Sequence, residues 1–214
     1  MNSAGRVWLF DLDNTLHDAG PQIFPHINRS MREYIERHLG VDAAEATRIR
    51  ERYWFRYGAT LTGLVRHHGV DPHHFLAETH NFDNLPRMVV FDRALGAMLA
   101  RLPGRKFVFS NAPQRYADAV LDIMGVRHLF DAVWSIERLR FQQKPRLAGF
   151  RRLLGRERLR PAQCVMVEDS AANLKPARRL GMKTVLIARS PRVPAWVDLR
   201  LQSVLDLPRH LGRL

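Results

Sequence analysis

Asp11-Leu12-Asp13-Asn14-Thr15 follows the apolar run Val7-Trp8-Leu9-Phe10, so two carboxylates stand where a buried strand should emerge into solvent. One acid in such a place can act as a nucleophile and the other as a proton donor. Two carboxylates this close repel by roughly 3 kcal/mol at about 5 Å and an effective dielectric of about 20. Both stay ionised only where a cation or a shared proton relieves them, and a divalent metal is the economical answer. Asp and Asn are also ordinary turn formers after a strand, so the pair gains meaning only from partners elsewhere in the chain.

Those partners follow in order. Lys106-Phe107-Val108-Phe109 ends in Ser110-Asn111-Ala112-Pro113, which brings a hydroxyl and several backbone N–H groups to the start of a helical segment, a place suited to phosphate. Lys144-Pro145 supplies a cation before another helical stretch, with Pro145 suited to its first turn. Cys164-Val165-Met166-Val167 delivers Glu168-Asp169-Ser170, where Ser170 is a candidate N-cap for a helix ending near Gly181. Each cluster has an ordinary reading: a cap, a solvated lysine, an acidic helix start favoured by the macrodipole. Lys144 is less easily dismissed, because the chain has four lysines against thirty arginines. Four polar clusters at strand ends, in this order, point jointly to one site.

Strands are expected at about 6–11, 105–110, 163–168 and 183–188, with a short one near 131–135. Helices are expected at about 91–101, 113–125, 146–155 and 170–180, and a last short one at about 205–211. This alternation implies an α/β fold, a Rossmann-like parallel sheet flanked by helices. Ligands in such sheets sit at the carboxyl ends of the strands, where the polar clusters fall. From Gly20 to about Arg87 the pattern is helical throughout. Ile23, Ile27, Met31, Tyr34, Ile35 and Leu39 recur at helical spacing over 22–39, and Ala46, Ile49, Tyr53 and Tyr57 do so over 43–57. The domain expectation is a catalytic core of 1–19 and 88–214 with an inserted helical cap at 20–87, hinged near 16–20 and 85–86. Such a lid excludes water and reads the leaving group.

With these residues in hand, the chain resembles the haloacid dehalogenase superfamily of phosphohydrolases over about residues 6 to 190. Asp11-x-Asp13-x-Thr15, Ser110-Asn111, Lys144-Pro145 and Glu168-Asp169 match its four motifs in order. The resemblance implies that Asp11 attacks phosphorus to give an aspartyl-phosphate, while Asp13 protonates the leaving oxygen and later deprotonates water. It implies Mg²⁺ on the Asp11 carboxylate, the Asp13 backbone carbonyl and Asp169, with Glu168 acting through water. Neighbours on an extended strand point to opposite sides, so Glu168 and Asp169 are expected to diverge if the strand is still extended there. Lys144 would balance negative charge, while Ser110, the Asn111 N–H and Thr15 would meet the substrate. An acid at position 13 argues against dehalogenation, because a halide needs no proton to leave.

Within the cap, Tyr53-Trp54-Phe55-Arg56-Tyr57-Gly58 and Gly63-Leu64 are similar to the cap of pyrimidine 5′-nucleotidases of this superfamily, as are Phe109-Ser110-Asn111-Ala112 and Leu180-Gly181-Met182-Lys183-Thr184 in the core. On that resemblance Tyr57 is a candidate to stack on a nucleobase and Thr60 to bond a base edge or ribose. Packing of the cap helices is the competing reading for both. Three departures bear on the transfer: His17 stands where these enzymes usually carry Tyr, Ser110 replaces a commoner Thr, and Glu168 replaces an Asp of some members. Ser110 keeps the hydroxyl. His17 follows the first motif and is a candidate to face the substrate and alter leaving-group preference.

Composition bounds the rest. A chain of 214 residues with 46% hydrophobic content can bury a full core and carry an insertion. The formal charge of +13 and pI near 11.1 would suit nucleic acid. The cations are scattered, however, with Arg151-Arg152 and Arg178-Arg179 inside helical patterns. A solvated arginine-rich surface that draws in a small anion is therefore expected, with no nucleic-acid partner. Cys164 reads as a lone buried thiol. Met1 to Arg6 leaves no room for a signal peptide's apolar region, and no apolar run approaches a membrane span. A cytoplasmic monomer acting on a nucleoside monophosphate is the expectation. His67-His68, His73-His74 and His80 are expected as surface histidines in a short loop rather than as metal ligands. The alternatives are a phosphosugar phosphatase or phosphomutase with the same core chemistry, and a non-enzymatic basic module, which the acids and Lys144 disfavour.

Overall fold

A computed structural model describes residues 5–214. The expectation about a leader peptide falls partly on residues 1–4, which lie outside the described residues. The chain forms two compact units, Met1–Asp18 with Val89–Leu214, and Ala19–Met88. In chain order, β1 (Val7–Phe10) is followed by α1 (Ile23–Leu39), α2 (Ala43–Tyr57), α3 (Thr60–His68), α4 (Pro72–Thr79) and α5 (Leu85–Met88). Then come α6 (Leu95–Arg101), β2 (Arg105–Phe109), α7 (Gln114–Ile123), β3 (Ala132–Trp134), α8 (Leu147–Glu157), β4 (Cys164–Glu168), α9 (Ala171–Arg179), β5 (Lys183–Ile187) and β6 (Leu199–Leu201).

The strands build one six-stranded parallel sheet in the order β3-β2-β1-β4-β5-β6. Every residue of β1 and β4 is buried, as expected of a parallel sheet covered on both faces. Val7 and Leu9 join Phe107, Phe109, Met166, Phe150 of α8 and Leu174 of α9 in one apolar cluster. The alternate residues Trp8 and Phe10 take the other face, where Phe10 meets Phe130 edge-on. The strand expectations land on β1 to β5. β6, Leu-Arg-Leu, has no continuous apolar run to mark it, unlike Ala132-Val133-Trp134 of β3.

Some boundaries differ for local reasons. The helix expected from 91 starts at Leu95, because Asp92 accepts from the Ala94 N–H at 2.8 Å and its carbonyl from the Leu95 N–H at 3.0 Å. Pro145 lies outside α8, ahead of its N-cap Arg146, so it does not occupy a first helical turn. Ser170 is the N-cap of α9, yet its side chain makes no capping bond. The tail expected as a short helix is a 3₁₀ segment, Val204–Arg213.

The second unit is helical and amphipathic. Ile23, Ile27, Tyr34 and Ile35 of α1, Ile49 and Tyr53 of α2, Leu64 of α3 and Phe75 of α4 supply its buried stripes. The Asp42 and Asp71 carboxylates cap α2 and α4. Gly63 is required by close approach, since a Cβ there would run into the Tyr53 ring. The paired histidines lie on helices rather than in a loop, and they meet tyrosines. His68 Nε2 is 2.7 Å from Tyr53 Oη, His67 Nε2 is 2.6 Å from Tyr57 Oη, and His74 Nδ1 is 3.0 Å from Tyr34 Oη. Among the described residues no helix is long and apolar enough to cross a membrane.

Candidate active site

The carboxyl ends of β1, β2 and β4 meet because β1 pairs with both neighbours in register, Phe10 opposite Val108 on one side and Val167 on the other. The Asp11 N–H donates to the Val167 carbonyl at 2.9 Å, carrying that pairing one residue past β1. Asp11 thereby stands beside Glu168, the last residue of β4. Here the connection reverses across β1, the crevice in which open α/β sheets place ligands. Asn14 adopts φ 58°, left-handed backbone that Asn tolerates better than most residues. The resulting turn brings the Thr15 and Leu16 N–H groups back to the Leu12 carbonyl at 3.3 and 2.9 Å.

Lys144 binds the two acids together. Its buried ammonium donates to Asp11 Oδ1 and to Glu168 Oε2, each at 2.7 Å. Asn111 holds it there, for Asn111 Nδ2 donates to the Lys144 carbonyl at 3.1 Å while the Lys144 N–H donates to Asn111 Oδ1 at 2.8 Å. Burial alone pulls the Lys144 pKa down, but Asp11 and Glu168 outweigh it and the net shift is upward, so the ammonium stays charged. Burial, then repulsion from Glu168, hold the Asp11 carboxyl well above its usual range despite Lys144. Glu168 is raised chiefly by burial, and Asp169 is raised chiefly by burial as well.

The condition for Glu168 and Asp169 to diverge, a strand still extended at both, is not met. β4 ends at Glu168, the backbone leaves the extended form, and oxygens of Asp11, Glu168 and Asp169 all lie within 4.8 Å of one another. Three carboxylates thus cluster where Lys144 reaches two of them. The donor set is all hard oxygen and carries excess negative charge, which fits Mg²⁺. Glu168 is engaged at both oxygens, by Lys144 on Oε2 and by the Ser170 N–H on Oε1 at 3.3 Å. Asp169 draws a hydrogen bond from Asn14, a partner that the sequence pattern did not single out.

The segment after β2 is arranged differently from the expectation of a phosphate at the helix start. The first N–H of α7, from Gln114, donates to Glu137 Oε1 and Oε2 at 3.1 and 3.0 Å, so a protein carboxylate holds that position. The Ala112 N–H donates to Ser110 Oγ at 3.0 Å. The Asn111 side chain is engaged with Lys144. Thr15 is buried, and its Oγ1 has no hydrogen-bond partner among the described residues.

Asp13 Oδ1 accepts from Tyr116 Oη at 2.6 Å and lies 2.9 Å from His17 Nε2. His17 is therefore buried against Asp13 rather than presented as a free contact group. Burial, then the Asp13 charge, push the Tyr116 phenol far above its ordinary range, so it remains a donor. Nothing in the local pattern ties position 116 to position 13. In the helical unit, Tyr57 is half-buried, bonded to His67 and flanked by the Arg56 and Arg66 guanidiniums at 5.5 and 5.9 Å from its ring. Thr60 is buried and donates its hydroxyl to the Arg50 carbonyl at 3.0 Å. Its proton pins the start of α3 to α2, as the packing reading of Thr60 has it.

Residues 6–181 match the family of haloacid dehalogenase-like hydrolases. The chain belongs to that family. Among curated proteins, this haloacid dehalogenase-like hydrolase is 28% identical over 141 residues to Phosphate metabolism protein 8 of Saccharomyces cerevisiae, covering 61% of the present chain and 43% of that protein. It is 36% identical over 69 residues to Fructose-1-phosphate phosphatase YqaB of Escherichia coli, covering 32% and 36% of the two chains. The matches thus span less than half the length of these curated relatives. The fold is that of a HAD phosphatase from Thermococcus onnurineus, with a TM-score of 0.70 at 21% identity over 97% of this chain and 98% of that one.

Proposed function

We propose that this hydrolase is a Mg²⁺-dependent phosphatase acting on a small phosphomonoester through an aspartyl-phosphate, with a pyrimidine 5′-nucleotide such as UMP or CMP as substrate. The observation that carries the reading is Asp11, one residue past β1, held at 2.7 Å by Lys144 with a second acid, Asp13, two residues on. Asp11 is the nucleophile. Lys144 keeps one Asp11 oxygen fixed and leaves the other to reach phosphorus in line. Asp13 gives a proton to the leaving oxygen and later takes one from the attacking water. Ser110 Oγ and the Asn111 N–H hold phosphoryl oxygens, and Thr15 supports the same pocket. Asp11, the Asp13 carbonyl and Asp169 would hold Mg²⁺, with Glu168 acting through water, and the ion supplies positive charge against the phosphoryl oxygens.

We assign catalysis to the sheet unit and choice of leaving group to the helical unit as its cap, where Tyr57 is the candidate to stack on a nucleobase. The protein works as a cytoplasmic monomer on this small anion, with no nucleic-acid partner. The 36% identity to the E. coli protein named a fructose-1-phosphate phosphatase favours a phosphosugar phosphatase as the second reading.

The test is phosphate release from UMP, CMP, fructose 1-phosphate and glucose 1-phosphate, each with and without Mg²⁺. Fastest release from the pyrimidine nucleotides supports the first reading and preference for fructose 1-phosphate the second. Phosphate passed to a second sugar hydroxyl, with none released, identifies a mutase. Turnover independent of Mg²⁺ removes the metal from the scheme.

A further inference from the structure

Asp13 Oδ1 accepts from Tyr116 Oη–H at 2.6 Å and lies 2.9 Å from His17 Nε2. Facing a carboxylate, His17 carries its proton on Nε2. A carboxyl oxygen has two lone pairs, and these donors fill both, so the proton that Asp13 transfers sits on Oδ2. The arrangement holds in both protonation states. When Oδ2 is protonated, Oδ1 is the carbonyl oxygen and still accepts the same two bonds.

Packing alone does not account for the two donors. Tyr116 is 3% exposed, and a Phe would fill the same space without a hydroxyl to satisfy. His17 is 4% exposed, and its Nδ1 is buried with no hydrogen-bond partner among the described residues. An apolar side chain would avoid that cost, so the imidazole is kept for what Nε2 does. The two arrive by unrelated routes, His17 four residues after Asp13 and Tyr116 from the first turns of α7, 103 residues away.

We propose that Tyr116 and His17 are positioning residues that lock the Asp13 carboxyl with Oδ2 toward the leaving group, and so set how well this enzyme expels a basic alcohol. The inference rests on the reading of Asp13 as the general acid. In that step the proton on Oδ2 passes to the leaving oxygen as the P–O bond breaks and its electron pair goes to that oxygen. A misaimed Oδ2 hurts poor leaving groups most, because a stable phenolate departs with little help.

The experiment measures kcat and KM for an aryl phosphate series running from 4-nitrophenyl to 4-methylphenyl phosphate, with Mg²⁺. The proteins are the parent, Asp13→Asn, Tyr116→Phe, His17→Met and the donor-retaining His17→Gln, each checked for a folded-state melting transition. Tyr116→Phe should lower kcat about tenfold on 4-methylphenyl phosphate, lose least on 4-nitrophenyl phosphate and leave KM nearly constant. His17→Met should steepen the leaving-group dependence likewise, and His17→Gln should restore part of it. If Asp13→Asn steepens the dependence but Tyr116→Phe lowers the whole series in parallel, the positioning role is overturned while the general acid stands. If Asp13→Asn itself leaves the dependence unchanged, the general-acid reading fails and the inference with it. Should His17→Met not fold, Tyr116→Phe, which removes a single oxygen, decides the matter.

Discussion

Asn111 and Lys144 clasp each other by two reciprocal hydrogen bonds, Nδ2 to the lysine carbonyl at 3.1 Å and the lysine N–H to Oδ1 at 2.8 Å. The side chain of one motif thus sets the backbone of another, and with it the ammonium that reaches Asp11. Asn111→Ala should leave both Lys144 backbone groups unpaired, costing about 1–3 kcal/mol. It should also lower kcat by about tenfold or more as the ammonium loosens. Thermal unfolding and steady-state kinetics together check this, and a variant unchanged in both would reduce the clasp to a bystander.

Asp11→Asn removes the attacking oxygen and keeps the shape of the side chain. kcat should fall by at least about 10³-fold, while a phosphate ester still binds in a calorimetric titration. Rapid-quench detection of a phosphorylated parent enzyme, absent from the variant, gives the complementary result. Turnover at the parent rate would exclude the covalent route.

Burial raises the folded-state pKa of Asp11, Glu168 and Asp169. Through these three groups the folded metal-free protein binds more protons than the unfolded chain once pH exceeds about 4, the ordinary carboxylate range. Its stability should fall as pH rises from there toward the raised values. Mg²⁺ competes with those protons, so its stabilisation should be larger at pH 8 than at pH 5, reaching about 2.7 kcal/mol at a hundredfold excess over Kd. Melting curves with and without MgCl₂ at the two pH values test the sign, and an equal shift at both would count against the carboxylate cluster as the binding place.

Tyr57→Ala should raise KM for UMP several-fold more than for 4-nitrophenyl phosphate, since stacking on a base is worth about 1–3 kcal/mol. Thr60→Val, which breaks the bond to the Arg50 carbonyl, should lower stability by about 1 kcal/mol and leave the ratio of the two substrates alone. Equal losses on both substrates for Tyr57→Ala would make Tyr57 a packing residue.

Cys164 is buried, and that burial pushes its thiol up from 9.0 to about 12. The unfolded thiol ionises first, so this group leaves stability unaffected below about pH 9 and erodes it between about 9 and 12. Iodoacetamide at pH 8 should label the unfolded chain and spare the native one, as mass spectrometry would register. Rapid native labelling would contradict the burial.

The sequence by itself determined most of the elements and the chemical inventory. Short runs such as Val7 to Phe10 and Cys164 to Val167 are apolar throughout, so they must be buried strands, and each places its first polar residues where the chain leaves the sheet. The amphipathic spacing of α1 and α2 is equally local. Where a boundary depended on one neighbouring bond, as with Asp92 ahead of α6, the period alone could not place it. Tertiary structure decided which groups meet. Register between β1 and β4 set Asp11 beside Glu168, and the end of β4 turned Asp169 toward the same point. Glu137 took the start of α7, while Tyr116 and His17 closed on one oxygen of Asp13. Hydrogen bonds and charges act over a few ångströms, whereas 103 residues separate Asp13 from Tyr116, so no spacing rule along the chain encodes that meeting.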